Sequence, residues 1–253
     1  MNPGLKEELR HLLPRSLRRH RILAGPLRGS AIVTSWHDYP AAILGRTERA
    51  LLEWFDRNVK KGETWLDIGA HYGYTAIALC RLVENSGRVF AFEPMLNTAG
   101  CVSRTSYLNH LPQLTVIPMA LGNCNDVAID SLNVVKGMVD STLKPTNEFK
   151  EHFLVSRLDW LWPKICGPDA RIDGIKIDVQ GMEIKVLEGM ADVAKGCQPK
   201  LLVELHKGVS RPRFLEVISS IGYEARGVAV DPLPGESEPL YADDRSYQFT
   251  PSC

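Results

Sequence analysis

An acidic residue and two glycines follow a short apolar segment in the first third of the sequence. Asp67 stands before Gly69 and Gly73 in the pattern D-x-G-x-x-x-G, and a helical pattern begins near Tyr74. Glycine lets the backbone turn tightly and approach a ligand, while the amino end of the next helix carries a partial positive charge that attracts a carboxylate. This segment therefore predicts a site for a small ligand that has a carboxylate. The residues expected to form it are Asp67, Gly69, Ala70, His71, Gly73 and Tyr74.

A second acidic residue closes the next apolar segment. Glu93 comes 20 residues after Gly73 and directly precedes Pro94. In nucleoside-binding α/β folds, an acidic side chain at this place accepts hydrogen bonds from the ribose hydroxyls. The glycine turn and the second acid together predict a nucleoside cofactor.

The spacing of the turn separates two candidate cofactors. Dinucleotide sites need G-x-G-x-x-G so that a pyrophosphate can rest on the helix, whereas this chain has His71 in place of the middle glycine. The negative charge of Asp67 would also repel a pyrophosphate. The pattern favours S-adenosylmethionine, and with it methyl transfer. Three alternatives stay open at this point: a nicotinamide-dependent oxidoreductase, a cofactor-binding module without catalysis, and a tight turn with only a structural role.

The elements that would position these residues alternate between short apolar strands and longer helical patterns. This alternation is typical of an α/β protein with a doubly wound, mostly parallel sheet. The predicted strands are 64–68, 88–92, 114–119, 172–177 and 200–205. Helices are predicted at 47–59, 73–82 and 181–193, and the longer region 123–168 is expected to be extended at 126–134 and 153–158. The basic first 40 residues predict an N-terminal extension, followed by one cofactor-binding domain over 41–253.

Three segments resemble the FkbM family of methyltransferases. Residues 65–74 read W-L-D-I-G-A-H-Y-G-Y, residues 87–94 read G-R-V-F-A-F-E-P, and residues 175–183 read I-K-I-D-V-Q-G-M-E. The resemblance extends over about 44–205. It implies a Rossmann-like, class I methyltransferase with a seven-stranded sheet and S-adenosylmethionine as cofactor. It also implies methylation of a hydroxyl on a sugar, glycolipid or secondary metabolite.

The resemblance also assigns residues that spacing alone does not. It implies that Asn109 and Ala120 contact the cofactor, and that Ser141, in a serine-containing turn, contacts the acceptor. The family usually has asparagine in place of His71 and glutamate in place of Gln180. The second difference removes a negative charge near the acceptor, and it disfavours a metal-dependent reaction because hard cations prefer carboxylate ligands.

Three ionisable residues follow the fourth and fifth predicted strands. Asp178 follows 172–177, and Glu204 and His206 lie at the end of 200–205. Neighbouring parallel strands end at the same edge of a sheet, so these side chains are expected to lie close together. Because a sugar hydroxyl is a poor nucleophile at neutral pH, a base that removes its proton assists methyl transfer. We predict His206 as that base, with Asp178 as the second candidate and Glu204 as an acceptor contact. The alternatives are a helix cap for Asp178 and a structural role for His206.

The overall composition excludes several further classes of protein function. The 30 basic and 30 acidic residues give no net charge to attract nucleic acid or an anionic membrane. The six cysteines contain no C-x-x-C pair, which argues against a zinc cluster and a disulfide framework. No apolar stretch approaches the roughly 20 residues that span a bilayer. We therefore predict a soluble cytoplasmic protein without a metal, a nucleic-acid partner or stable membrane insertion, acting on a small-molecule or carbohydrate acceptor. The sequence does not indicate the oligomeric state.

Overall fold

A seven-stranded sheet forms the centre of the molecule, seen here in a computed structural model that describes residues 12–135, 138–139 and 150–252. Its strands are β3 (Thr64–Ile68), β4 (Arg88–Phe92), β5 (Leu114–Ile117), β10 (Gly174–Ile177), β11 (Lys200–Leu205), β12 (Val228–Ala229) and β13 (Arg245–Phe249). They are arranged in the order β12-β13-β11-β10-β3-β4-β5. The strand β13 is antiparallel to both of its neighbours, and the remaining pairings are parallel. The predicted doubly wound, mostly parallel seven-stranded sheet is confirmed.

Eight helices lie in the described part of the chain. They are α1 (Pro40–Leu44), α2 (Arg49–Asn58), α3 (Tyr74–Val83), α4 (Leu96–Leu108), α5 (Leu158–Cys166), α6 (Glu183–Glu188), α7 (Ala191–Cys197) and α8 (Arg211–Ser220). Two apolar cores result, one on each face of the sheet. Successive side chains of a strand point to opposite faces, so Trp65 joins one core while Leu66 and Ile68 join the other. None of the described helices has both the length and the apolar character needed to cross a lipid bilayer.

A second, four-stranded sheet is inserted between β5 and α5. It contains β6 (Ala120–Leu121), β7 (Ala128–Val135), β8 (Met138–Val139) and β9 (Lys150–Ser156), in the order β6-β9-β7-β8. The long strands β7 and β9 are antiparallel, as a hairpin requires. The extended segments predicted at 126–134 and 153–158 overlap these two strands. Phe153 on β9 is buried and faces the cleft described below.

The predicted N-terminal extension contains ordered structure that packs on the main sheet. The strands β1 (Arg18–Arg21) and β2 (Ala31–Thr34) form an antiparallel pair. Ile22, Leu27 and Ile32 are buried in the same core as Trp65. This packing means that the described part of 1–40 is continuous with the core of the domain, because its apolar residues complete that core. A division of the chain at residue 40 therefore does not separate two cores.

The predicted helix 181–193 is two helices, which is a correction to the sequence prediction. The break lies at Gly189, whose carbonyl accepts a hydrogen bond from the Asp159 amide at 3.0 Å. A side chain at Gly189 would place its Cβ 1.8 Å from the Gly122 carbonyl oxygen. The chain bends here because α6 must pass close to the loop after β6, and apolar periodicity does not carry this information.

Candidate functional site

A cleft opens at the carboxyl ends of β3, β4 and β10. Its volume is about 800 Å³, counting the space that opens to solvent, and its walls are mostly apolar. The predicted site residues that line it are Gly69, His71, Glu93, Ala120 and Asp178. Ligands of doubly wound sheets bind at this edge, next to the point where the strand order reverses.

The turn after β3 brings the backbone close to the neighbouring strand end. Gly69 and Gly73 have φ values of 81° and 84°, in the left-handed region that favours glycine. A Cβ on Gly69 would lie 1.8 Å from the Asp178 carbonyl oxygen, so only glycine fits there. His71 adopts a φ of 50°, and its ring packs against Tyr72 at a centroid distance of 4.3 Å. The turn is therefore fixed by close packing on both sides.

Glu93 lies at the end of β4 and is held by backbone amides. The amide of His71 donates to Oε2 at 2.8 Å, and the amide of Met95 donates to Oε1 at 3.1 Å. Burial raises the pKa of this carboxyl group to about 7, and the two amide hydrogen bonds oppose that rise. Each carboxylate oxygen can accept a further hydrogen bond. The arrangement suits a ligand with two neighbouring hydroxyl groups.

Asp67 is not among the residues that line the cleft, and its contact with the ligand stays a prediction. Its side chain is fully buried, with an exposed fraction of 0%. The Thr75 hydroxyl donates to Oδ2 at 2.6 Å, and the Lys176 ammonium lies 3.2 Å from Oδ1. The parallel register of β3 and β10 places Asp67 beside Lys176. Asp67 is therefore neutralised by a cation of the protein itself.

Lys176 links both sides of the cleft. Besides Asp67, its Nζ contacts Asp178 Oδ2 at 3.2 Å and donates to the Gly69 carbonyl at 3.2 Å. Burial alone would lower its pKa, but the carboxylates of Asp178 and Asp67 outweigh burial and raise it. The ammonium therefore stays charged and joins the glycine turn to the end of β10.

Asp178 and His206 meet where β10 and β11 end, as the sequence predicts. The imidazole Nε2 lies 3.4 Å from Asp178 Oδ1 and 3.7 Å from Glu204 Oε1. The Asp178 carboxylate contacts Lys176 and His206. The residue at the N-cap of α6 is Met182, so the structure does not support a helix-capping role for Asp178. Burial alone would raise the Asp178 pKa, but Lys176 and His206 lower it.

His206 carries a shifted pKa because carboxylates surround it. Burial alone would lower the pKa, but the hydrogen bond with Glu183 and the charge of Asp178 raise it to about 8. Burial, followed by the charge of Asp178, raises the pKa of Glu204 to about 7. The side-chain nitrogen of Gln180 lies 2.8 Å from His206 Nε2. The NH₂ group of Gln180 can donate to Nε2 of the neutral ring, and its amide oxygen can accept from Nε2 of the protonated ring. His206 and Glu204 therefore titrate close to neutral pH.

The same corner has the donor set of a cation site. Asp178, Glu204 and His206 each offer one ligand atom, and these atoms lie within 4.8 Å of one another. Two carboxylates and an imidazole suit a divalent metal. Lys176 already contacts Asp178, and Gln180 contacts Nε2. The sequence prediction of a metal-independent site stays a prediction.

Four predicted cofactor contacts, apart from Asp67, have other surroundings. Ala70 and Tyr74 are buried beside the turn, and Gly73 packs on Val102. Asn109 is directed away from the cleft because its side-chain amide pairs with the backbone of Ala31 on β2. These residues hold the turn and the N-terminal strands rather than the cleft wall. Ser141 lies outside the described residues.

Sequence reasoning assigned no role to Lys176 and Glu183, and it considered Gln180 only for the negative charge that its position lacks. A signal was present for Lys176, since a charged residue between Ile175 and Ile177 in a buried strand needs a partner. Glu183 gave no comparable signal because an acid in the first turn of a helix is ordinary.

Comparisons with known proteins agree with this geometry. The model of the methyltransferase FkbM domain matches residues 67–227. No curated protein matches the chain significantly. Among solved structures, a protein described as an rRNA methylase from Clostridium thermocellum has a TM-score of 0.51 and 11% identity, covering 80% of this chain and 94% of that one. An rRNA methylase from Streptococcus thermophilus has a TM-score of 0.50 and 12% identity, covering 83% and 99%. Methyltransferase FkbM from Methylobacillus flagellatus KT has a TM-score of 0.49 and 17% identity, covering 78% of this chain and 50% of that one.

The fold is the Rossmann-like fold of class I methyltransferases. The family match covers more than half of the chain, and the protein belongs to the FkbM methyltransferase family. Its cofactor is S-adenosylmethionine, and the cleft fits it: a glycine turn and a buried carboxylate, Glu93, adjoin an apolar wall.

Proposed function

We propose that the protein transfers a methyl group from S-adenosylmethionine to a hydroxyl oxygen of a sugar, a glycolipid or a secondary metabolite. One observation carries the proposal. A cleft that suits a nucleoside ends at Asp178, which lies 3.4 Å from the imidazole of His206. His206 is buried directly behind Asp178, which lines the cleft. A proton acceptor beside a cofactor cleft suits an acceptor whose nucleophile must lose a proton.

We assign cofactor binding to the side of the cleft that holds the glycine turn. Glu93 would accept hydrogen bonds from the ribose hydroxyls, and the backbone of Gly69 and His71 would lie against the cofactor. Ala120 contributes part of the opposite wall. Asp67 supports the cleft indirectly. It pairs with Lys176, and Lys176 contacts the Gly69 carbonyl and the Asp178 carboxylate.

We assign the acceptor to the side of Asp178, Glu204 and His206. The bound cofactor supplies an activated methyl group on a sulfonium ion. His206 removes the acceptor proton through Nε2, and Asp178 and Glu204 stabilise the resulting imidazolium by their charge. Much of the rate enhancement comes from holding the acceptor oxygen in line with the methyl group, since well-oriented reactants need little further activation.

The balanced formal charge of the chain supports a small-molecule acceptor over nucleic acid, because nucleic-acid sites are usually strongly basic. Ser141 remains a proposed acceptor contact on the basis of the family resemblance alone. Cytoplasmic location also remains a proposal.

The test incubates the protein with S-adenosylmethionine carrying a labelled methyl group and with a metabolite extract, a glycolipid fraction and ribosomal RNA as separate acceptor pools. Mass spectrometry then locates the label. We expect label on an oxygen of a metabolite or glycolipid. Label in RNA, or on nitrogen or carbon, would reject the proposed acceptor class. Cofactor binding without any labelled product in these pools would favour a binding module.

A further inference from the structure

His206 is held at its second ring nitrogen by a buried carboxylate. Glu183, the first residue of α6, has an exposed fraction of 0%. Its Oε1 lies 2.6 Å from His206 Nδ1 and also accepts a hydrogen bond from the Gly181 amide at 3.1 Å. The other ring nitrogen, Nε2, lies near Asp178 and Gln180, which both line the cleft. The imidazole therefore lies between a buried anchor and the reaction site.

This contact selects one tautomer of the neutral ring. An ionised carboxylate can only accept hydrogen bonds, so Nδ1 must carry the proton that is donated to Glu183. The lone pair of neutral His206 then resides on Nε2. That is the nitrogen nearest Asp178, and it is the nitrogen a base at this site must use.

The second oxygen of Glu183 indicates which protonation state of His206 this carboxylate stabilises. Oε2 is buried and has no hydrogen-bond partner among the residues that the structure describes. A buried carboxylate with one oxygen unsatisfied is costly unless an opposite charge lies close to it. The imidazolium supplies that charge, so Glu183 favours the protonated ring, which is the state of His206 after it accepts a proton.

We propose that Glu183 is the positioning residue of the reaction: it fixes the Nδ1–H tautomer and the orientation of His206, so that Nε2 is presented to the acceptor. The arrangement resembles the serine-histidine-aspartate triad, in which a buried carboxylate orients a histidine base. This role rests on the proposed function, because it assumes that His206 is the base.

The other charged groups around His206 are already fixed in place. Asp178 approaches from the end of β10, and Glu204 lies on β11, which ends one residue before His206. Arg211 of α8 donates to the His206 carbonyl at 3.0 Å. Within the described part of the chain, Glu183 is the charged residue that contacts His206 Nδ1. Removing its charge should therefore change both the tautomer and the titration of His206.

The first test is nitrogen-15 NMR of the histidine-labelled protein across pH, with His206→Gln used to assign the signal. We expect the wild-type ring above about pH 9 to carry its proton on Nδ1. This measurement needs no Glu183 variant and no turnover, so a failed methyltransferase assay leaves its result interpretable. A proton on Nε2 in the wild-type protein would overturn the proposal.

The second test compares Glu183→Gln with Glu188→Gln, a control at the other end of the same helix whose carboxylate binds Arg213 and Asn123. We expect the titration midpoint of His206 to drop by about one pH unit in Glu183→Gln, since one neighbouring negative charge is lost. We expect turnover to fall about tenfold or more because the ring loses its orienting charge. Cofactor affinity should stay the same. Equal midpoints in the two variants would contradict the proposal, and thermal unfolding of both variants checks that they fold.

Discussion

The two sides of the cleft hold their acidic groups in different ways. On the glycine side, two backbone amides donate to the Glu93 carboxylate, so the backbone fixes its position. On the histidine side, other side chains hold the three ionisable groups: Lys176 contacts Asp178, Glu183 contacts His206, and the Ser246 hydroxyl donates to Glu204. A backbone-fixed carboxylate suits recognition, because its geometry does not depend on other ionisations. A cluster of side chains that share protons suits chemistry.

The physical causes of the shifted pKa values differ in the same way. Burial raises the pKa of Glu93 to about 7 against the effect of its hydrogen bonds. For His206, burial acts downward and the neighbouring carboxylates raise the pKa to about 8. Desolvation thus sets the direction of the pKa shift for Glu93, and also for Glu204 on the histidine side. Interactions with neighbouring charges and hydrogen bonds set it for His206 and Asp178. Four predictions test whether this division is real.

The largest effect is expected from removing the buried ion pair that connects the two sides. Asp67→Ala leaves Lys176 with Asp178 and the Gly69 carbonyl as its partners. Breaking a buried pair is costly, and we expect the free energy of unfolding to fall by about 3 kcal/mol. Chemical denaturation measures it. The control is Glu53→Ala, which breaks the exposed Arg49–Glu53 pair and should cost less than about 1 kcal/mol. Equal losses would show that Lys176 does not depend on Asp67.

The next effect concerns the histidine side alone. His206→Gln removes the proposed base, and we expect turnover to fall by about 100-fold with unchanged cofactor affinity. In the wild type, the neutral ring that acts as base becomes more abundant as pH rises through about 8, so turnover should rise up to that pH and then level off. The variant should lose this dependence. Wild-type turnover in the variant, or a rate that falls with pH over this range, would exclude His206.

The glycine side should respond in binding instead. Glu93→Ala removes charge-assisted hydrogen bonds that are worth roughly 1.5 to 3 kcal/mol, so cofactor affinity should weaken about tenfold or more. Since the ionised carboxylate is the better acceptor, wild-type affinity should strengthen as pH rises through about 7. Calorimetry with S-adenosylhomocysteine measures both effects. The control is Glu151→Ala, since Glu151 accepts a hydrogen bond from the exposed Leu96 amide. Unchanged affinity in Glu93→Ala would remove the binding role from this side.

The smallest effect is expected from metal removal. We predict that dialysis against a chelator leaves turnover unchanged, because Lys176 already supplies a positive charge to Asp178 and the Ser246 hydroxyl donates to Glu204. Activity that is lost on chelation and restored by a divalent ion would make Asp178, Glu204 and His206 a metal centre. The histidine side would then bind a cofactor as well.

The regular parts of the fold were predictable because their signals are local. Apolar runs and glycine positions gave the strands that carry Asp67, Glu93 and Asp178 within a few residues of their observed ends. The break at Gly189 was missed because its cause is the Gly122 carbonyl, which comes from a distant loop. The partner of Asn109 was not predictable for a similar reason, since its amide pairs with Ala31 on β2 of the N-terminal segment.

The sequence by itself determined the class of the protein and the edge of the sheet where the site lies, because apolar strands and glycine turns are recognisable from short sequence patterns. Only the tertiary structure decided which acids face the cleft. Asp67 and Glu93 end neighbouring strands with similar surroundings in sequence, yet Asp67 is paired with Lys176 and Glu93 faces the cleft. That difference depends on the register between β3 and β10, and register is set by packing across the sheet rather than within one segment.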